Sequence, residues 1–306
     1  MSHRKAIYCM ALAAIFFSTS GLLIKVISVP HLPLLGVRGA FAALTIALFM
    51  ARPHLQSARR SPSYSPRPTQ AKPRLRIPWS LPLLGGAISL VCAQAFFIIA
   101  VRETTAANAI FLQYTAPIFV AFFGIHYLRE SVGKLDWLAL VAVGAGLLCF
   151  YGDGMTAGGA FGNLFGLLAG LTFAWFLLFM RKQKDGSTIE TVLLGNVLSA
   201  LLGLPFLLGA APSAADWLGM IFLGIFQIGL PSILIALAIK ELTAVGAVLI
   251  QTLEPILNPV WVLLFIGEMP TPLALLGGAI VIGAVTFRSV LANRLRRMAA
   301  ASQPTA

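Results

Sequence analysis

Residues 238–268 read AIKELTAVGAVLIQTLEPILNPVWVLLFIGE. The stretch is almost continuously apolar, yet a glutamine, a glutamate and two prolines lie near its centre. An apolar run of about 20 residues is long enough to cross the hydrocarbon core of a bilayer as a helix. The stretch therefore predicts a membrane-spanning helix that carries a carboxylate, Glu254, near its middle.

Composition extends this interpretation to the whole chain. Of the 306 residues, 58% are hydrophobic and only 10% are charged, whereas soluble proteins have about 25% charged residues. Apolar runs such as LDWLALVAVGAGLLCF (135–150) do not alternate with polar residues, as the strands of a membrane barrel would. The sequence predicts an all-α integral membrane protein.

Ten segments are long and apolar enough to span a bilayer. Several of the connections between them are short, as expected for helical hairpins. The predicted spans are residues 6–27, 32–50, 79–101, 105–127, 133–151, 160–180, 188–208, 214–238, 243–266 and 271–290.

Basic residues fix the predicted orientation of these spans. The net charge is +12, and basic residues concentrate in cytoplasmic loops. Residues 51–78 are rich in Pro, Ser and Arg and hold no acidic residue, so they predict a disordered cytoplasmic loop. With the N-terminus inside, nearly all Lys and Arg outside the spans are cytoplasmic, including those of a basic tail, 291–306. Both termini are then cytoplasmic, and the charge gives no reason to expect nucleic acid as a partner.

An internal repeat relates two parts of the chain. Residues 100–130, AVRETTAANAIFLQYTAPIFVAFFGIHYLRE, align without a gap with residues 238–268, so that Gln113 matches Gln251 and Pro117 matches Pro255. Each copy belongs to a unit of five spans, and an odd number of spans inverts the second unit in the membrane. We therefore predict two inverted-topology five-helix repeats, 6–151 and 160–290, around a central cavity, an arrangement typical of transporters.

The chain also resembles a known family, the drug/metabolite transporter superfamily of ten-helix carriers of the EamA type. The resemblance covers about residues 6–290 and is carried by FFSTSGLLIKVI (16–27), LLGVRGAFAAL (34–44), LQYTAPIFVAFFGIHYLRE (112–130) and IQTLEPILNPVWVLLFIGE (250–268). It implies two similar repeats around a central substrate path. It also implies movement of small metabolites, often amino acids or related compounds, and frequently export.

Ionisable side chains inside a span usually face the bundle interior or water, because burial in lipid is unfavourable. At helical spacing, Gln251, Glu254 and Asn258 form one polar stripe on the ninth span. We interpret it as a substrate-binding surface on which Glu254 could carry a coupled proton. The alternative is a hydrogen-bonded Glu254 that only packs helices. Pro117, Pro255 and Pro259 predict helix kinks.

Four further side chains are candidate substrate ligands, each with a structural alternative. Arg38 could fork onto a carboxylate or phosphate, or pair with a loop carbonyl or a lipid headgroup. Lys25 could bind substrate or extend to the headgroups. Gln113 is the repeat mate of Gln251, and Trp175 could line an apolar pocket or pack in the core. The remaining polar residues of the spans are expected to join helices, among them Gln94, Asn108, Thr172, Asn196, Gln227 and Ser232.

The function predicted from these features is secondary transport by alternating access in a bacterial inner membrane, with a small molecule and the lipid bilayer as partners. No nucleotide-binding motif is present in the sequence, and no cofactor or metal site is expected. A uniporter or exchanger that imports a metabolite is the alternative. An intramembrane enzyme acting on lipid would need a converging nucleophile and base, which the sequence does not offer. The oligomeric state stays open between a monomer and a homodimer.

Overall fold

The structure is a computed structural model that describes residues 1–51, 79–104, 106–130, 132–154, 160–186, 188–257, Trp261 and scattered positions between 272 and 291. Every regular element within these ranges is a helix. The predicted loop 51–78, apart from residue 51, and the predicted tail, apart from residue 291, lie outside the described residues.

The first part of the described chain forms seven helices, two pairs of which divide a predicted span. Their bounds are α1 His3–Phe17, α2 Ser20–Val26, α3 His31–Ala51, α4 Leu81–Glu103, α5 Ala106–Gln113, α6 Ala116–Tyr127 and α7 Lys134–Gly154. The break between α1 and α2 has a local cause. The hydroxyls of Ser18 and Thr19 donate to the carbonyls of Ile15 and Phe16, and such bonds compete with the helical ladder.

The second part forms five further helices and two segments of different pitch. The α-helices are α8 Ala160–Lys182, α9 Thr188–Gly203, α10 Ala214–Phe222, α11 Leu230–Ala238 and α12 Ala244–Gln251. A 3₁₀ segment, Leu204–Gly209, extends α9, and a π segment, Leu223–Gly229, joins α10 to α11. After a turn at Thr252, residues 253–257 are helical again.

Prolines account for three of these irregularities. Pro117, Pro231 and Pro255 cannot donate a backbone hydrogen bond to the residue four positions earlier. The chain breaks at Tyr114–Thr115 before Pro117 and turns at Thr252 before Pro255, so the two aligned segments are interrupted at nearly the same place. Before Pro231 the helix widens to the π form, in which the Leu230 N–H reaches the Ile225 carbonyl.

Five helices among the described residues are long and apolar enough to cross a membrane. They are His31–Ala51, Leu81–Glu103, Ala160–Lys182, Thr188–Gly209 and Ala214–Ala238, and shorter apolar helices include Ala116–Tyr127 and Ala244–Leu257. The chain is therefore a helical membrane protein. The count of ten spans stays a prediction, because only scattered positions of the tenth span and part of the ninth are described.

Helices from the two predicted repeats pack along each other. α4 lies along α8, α3 along α9, and α1 along α11. Glycines allow the close approach: a Cβ at Gly170 of α8 would lie 2.8 Å from the Gln113 carbonyl oxygen. At Gly36 of α3 it would overlap the backbone of Gly203. These contacts place polar residues of both repeats around one interior space.

Polar contacts join the two predicted repeats at both ends of the bundle. At one end, named the Glu130 end, Arg181 Nε lies 2.6 Å from Glu130 Oε1, and the other oxygen of Glu130 accepts from the Ala244 N–H at 3.1 Å. At the other, named the Asp216 end, the backbone N–H and the hydroxyl of Ser28 each donate to Asp216 at 2.8 Å. Helix α1 begins near the Glu130 end, where His3 bonds to the Glu241 carbonyl.

Candidate functional site

A cavity lies between the helices of the two predicted repeats, inside the bundle. Its lining combines six polar side chains with apolar and aromatic ones, and its volume is about 50 Å³, room for a few water molecules. The polar residues are Arg38, Gln94, Gln113, Gln227, Ser232 and Glu254, and the others include Phe17, Phe97 and Phe173.

The guanidinium of Arg38 is the positive group of this cavity. Arg38 is 1% exposed. It donates to the side-chain oxygens of Gln227 and Gln94, each at 3.4 Å, and its Nε has no hydrogen-bond partner among the described residues. No carboxylate in the described part of the chain forms an ion pair with it. Because both bonds are long, the buried charge is only weakly compensated.

Each of the two partners of Arg38 is positioned by its own helix and neighbours. Gln94 also donates to the Asn196 side chain at 3.3 Å, and Asn196 donates to the Val192 carbonyl in its own helix. Gln227 lies in the π segment before Pro231, and π segments are frequent at functional sites. The cavity thus draws one amide from each predicted repeat toward the same guanidinium.

Glu254 is the acidic group of the same cavity and is 7% exposed. The hydroxyl of Tyr114 lies 2.7 Å from Glu254 Oε2 and 2.7 Å from the carbonyl oxygen of Gln251. Tyr114 lies in the break between α5 and α6, and Glu254 follows the turn at Thr252. The two prolines therefore bring the interrupted parts of the aligned segments together at the acid.

The repeat-related glutamines differ in position. Gln113 lines the cavity, and its side-chain oxygen has no partner among the described residues. Gln251 does not line the cavity: it is fully buried, its side-chain nitrogen lies 3.1 Å from the Met10 sulfur, and its side-chain oxygen also has no partner among the described residues. Of the two, Gln113 is therefore the one placed to meet a bound molecule.

The remaining predicted site residues fall elsewhere. Trp175 is not among the lining residues; its ring packs against Phe123, Tyr127 and Phe179 at centroid distances of 5.0, 5.6 and 5.5 Å. Lys25 belongs to α2, and its side chain lies outside the described part of the structure. Asn258 and Pro259 also lie outside the described residues.

Sequence reasoning did not single out Tyr114, and it assigned Gln94, Gln227 and Ser232 to helix packing. The available signal for Tyr114 was its phenol at the centre of a predicted span, next to Gln113 and before Pro117. The described residues contain no group of three or more His, Cys, Asp or Glu that could hold a metal ion.

A helical bundle with an internal polar cavity is the architecture expected of polytopic membrane transporters. The model of the EamA-like transporter family matches residues 4–152 and again residues 160–290. The chain therefore belongs to the EamA-like transporter family, whose members are transporters and not enzymes.

Two bacterial proteins named as transporters are similar to this chain at low identity. The uncharacterized transporter YdfC of Bacillus subtilis is 28% identical over 206 residues, which cover 64% of this chain and 67% of YdfC. The threonine/homoserine exporter RhtA of Escherichia coli K12 is 28% identical over 207 residues, which cover 66% of this chain and 68% of RhtA.

A solved crystal structure has the same fold. The match has a TM-score of 0.76 and covers 96% of this chain and 99% of the solved chain. Because the two sequences are only 19% identical, this likeness concerns the fold alone.

Proposed function

We propose that the protein is a secondary transporter that exports a small zwitterionic metabolite, an amino acid or a related compound, from the bacterial cytoplasm. The observation that carries the proposal is the pairing of Arg38 and Glu254 in one cavity, with no direct ion pair between them. The predicted setting is the inner membrane with both termini cytoplasmic. The threonine/homoserine exporter RhtA supports the substrate class by its similarity.

The chemistry of the cavity suits such a substrate. A guanidinium binds a carboxylate through two parallel hydrogen bonds, so Arg38 is assigned to the substrate carboxylate. The ammonium group of the substrate is assigned to Glu254 and to the unpartnered side-chain oxygen of Gln113. Substrate binding would compensate both charges, which is worth more inside a bundle than in water.

The size of the cavity fits a transport cycle in which the site opens before binding. A volume of about 50 Å³ is smaller than an amino acid needs. The two predicted repeats are proposed to rock against each other around the cavity. Access from one side would require the contacts at the Glu130 end to separate, and access from the other those at the Asp216 end.

Proton coupling is the proposed energy source. Glu254 is the acid of the cavity, and an acid that alternates between a dry and a wet environment can take up and release a proton. Import by a uniporter or exchanger is the second candidate, since the same cavity would serve a substrate moving in either direction.

The test is transport by the purified full chain in liposomes. Vesicles loaded with one unlabelled amino acid at a time should take up the same labelled amino acid by counterflow. We expect uptake for at least one amino acid and none for its decarboxylated amine or its deaminated acid. Equal uptake of the amine would contradict the assignment of Arg38 to the substrate carboxylate. Absence of counterflow with every zwitterion would overturn the proposal.

The direction and the energy source are read in the same vesicles. A proton gradient directed into the vesicles should drive efflux of the loaded amino acid when the substrate and the proton exchange sides. Efflux that follows the substrate gradient alone would favour the uniporter, and accelerated uptake under the same proton gradient would favour import.

A further inference from the structure

The hydroxyl of Tyr114 lies between two acceptors that belong to the other predicted repeat. It is 2.7 Å from the Gln251 carbonyl oxygen and 2.7 Å from Glu254 Oε2, and the Tyr114 side chain is 4% exposed. A phenol carries a single proton to donate. Only one of these two oxygens can therefore receive a full hydrogen bond from Tyr114 at a time.

The Gln251 carbonyl needs a donor from outside its helix. In an α-helix this oxygen would accept from the N–H of residue 255, but residue 255 is a proline and has none. A buried carbonyl left without a partner is unfavourable. The Tyr114 hydroxyl replaces the missing donor at the turn that divides α12 from residues 253–257.

The aligned position in the first repeat has a different neighbour. Pro117 likewise leaves the Gln113 carbonyl without its helical donor. There Gly170 of α8 approaches closely, since a Cβ at this glycine would lie 2.8 Å from the Gln113 oxygen. Among the described residues, the contact of a tyrosine hydroxyl is made to the Gln251 carbonyl, in the repeat that carries the acid.

Glu254 competes for the same proton only while it is ionised. A carboxylate is a stronger acceptor than a carbonyl, because the bond is charge-assisted. Once protonated, Glu254 has a donor of its own, which can point to the Tyr114 oxygen. The Tyr114 proton is then free for the Gln251 carbonyl.

We propose that Tyr114 is a positioning residue whose hydroxyl switches between Glu254 and the Gln251 carbonyl, and so couples the charge of Glu254 to the helix break before Pro255. Tyr114 stays a neutral phenol, and the only proton exchanged with solvent is the one on Glu254. The functional part of this inference rests on the proposed proton coupling, whereas the hydrogen-bond exchange can be tested without transport.

The surroundings of Glu254 leave few other groups that could give the same response. Within the described residues, Tyr114 contacts it and Arg38 shares its cavity. The start of α12 adjoins Glu130, through its bond to Ala244, and Arg288, beside Gly246. Other ionisable residues of the helices packed on α12 do not line the cavity: His3, Arg4, Lys5, Tyr8, Cys9, His126, Tyr127, Lys134, Asp136, Cys149, Arg181 and Lys182.

The first test is a double-mutant cycle on thermal unfolding of the purified full chain. Tyr114→Phe removes the hydroxyl and should lower Tm by about 2–4 °C, as expected for one lost hydrogen bond. Pro255→Ala gives residue 255 an N–H that can reach the Gln251 carbonyl. In that background Tyr114→Phe should lower Tm by less than half as much.

The dependence of this cycle on pH separates a switch from a fixed bond. At acidic pH, where Glu254 is protonated, the rescue by Pro255→Ala should be strongest. The rescue should become weaker at alkaline pH, where the Tyr114 hydroxyl donates its hydrogen bond to the Glu254 carboxylate. Additive losses of Tm at both pH values would overturn the proposal, and so would a rescue that is the same at both.

The second test is the pH profile of counterflow and applies even if Pro255→Ala does not fold. Tyr114→Phe should displace the pH at half-maximal counterflow, whereas Tyr127→Phe, in the aromatic cluster with Trp175, should leave it in place. A lower rate with an unchanged profile would show that Tyr114 is merely structural. If the proposed proton coupling is wrong, Glu254→Gln should show the same pH profile as the wild type. This result distinguishes failure of the coupling from failure of the Tyr114 switch.

Discussion

At the residue scale, the proposed function depends on two buried charges, whose burial is unfavourable unless a partner compensates them. Arg38 is bonded only to two amides, and Glu254 only to the Tyr114 hydroxyl, among the described residues. An isolated buried charge destabilises a protein by several kcal/mol. Retaining both in one cavity is consistent with a substrate that brings the complementary charges.

Replacing Arg38 tests the carboxylate site. Arg38→Gln should weaken substrate binding about tenfold or more, because a hydrogen bond to a charged group is worth ~1.5–3 kcal/mol. Arg38→Lys keeps the charge but loses the planar fork, so binding should be intermediate. The measurement is the substrate-induced shift in Tm, with Arg4→Gln, at an exposed position of α1, as the control. Unchanged binding in Arg38→Gln would contradict the assignment.

Replacing Glu254 tests the proton site. Glu254→Gln keeps the shape of the side chain but cannot change its charge near neutral pH, so stimulation of transport by a pH gradient should disappear. Exchange of labelled for unlabelled substrate without a gradient should persist at a reduced rate. The exposed Glu241→Gln is the matched control. If Glu254→Gln responds to the gradient as the wild type does, the coupling role is wrong.

At the element scale, proline chemistry and close glycine contacts shape the site. The prolines could be predicted to disturb their helices, because loss of a backbone donor is local to the sequence. Whether a helix then breaks, as at Tyr114–Thr115, or widens, as in Leu223–Gly229, depends on what packs beside it. The π segment was not predicted for this reason, although it positions Gln227 beside Arg38.

Gly170 provides a test at this scale. Gly170→Ala would place a methyl group 2.8 Å from the Gln113 carbonyl oxygen, so α8 should move away and Tm should fall by several degrees. A Cβ at Gly144 of α7 meets no atom of the described residues within 4 Å. Gly144→Ala should therefore leave Tm unchanged or raise it, because alanine favours a helix. Similar effects of both variants would argue against the close α5–α8 contact.

At the scale of the whole molecule, contacts between the predicted repeats occur at both ends, with the cavity between them. Ser28 reaches Asp216 at one end, and Arg181 reaches Glu130 at the other. A rocking cycle would require these two groups of contacts to separate in alternation. Weakening one end should shift the population of states toward opening at that end.

Side-specific labelling tests this expectation. In a chain whose Cys9, Cys92 and Cys149 are replaced by serine, Ser232→Cys places a thiol in the cavity. Adding Asp216→Ala should speed the reaction of this thiol with an impermeant reagent supplied from the Asp216 side. The expected acceleration is roughly fivefold for each 1 kcal/mol of contact energy lost. Asp185→Ala, in an exposed turn, is the control. Equal acceleration from both sides would indicate general loosening.

The sequence by itself determined the class of protein, the helical character of the spans and the alignment of Gln113 and Pro117 with Gln251 and Pro255. These features follow from the length of apolar runs and from the backbone chemistry of proline, both of which are local. It also marked Arg38 and Glu254, because an ionisable residue in a span is conspicuous wherever the helix lies.

Only the tertiary structure decided which polar groups meet. Arg38 bonds to residues 56 and 189 positions away, and Tyr114 reaches an acid 140 positions away. Such pairs depend on how each helix is rotated about its axis and packed against its neighbours. When a helix is apolar on every side, the apolar pattern of its sequence leaves this rotation almost undetermined. For the same reason Trp175, a plausible pocket residue by sequence, packs in an aromatic cluster instead, while Tyr114 reaches Glu254.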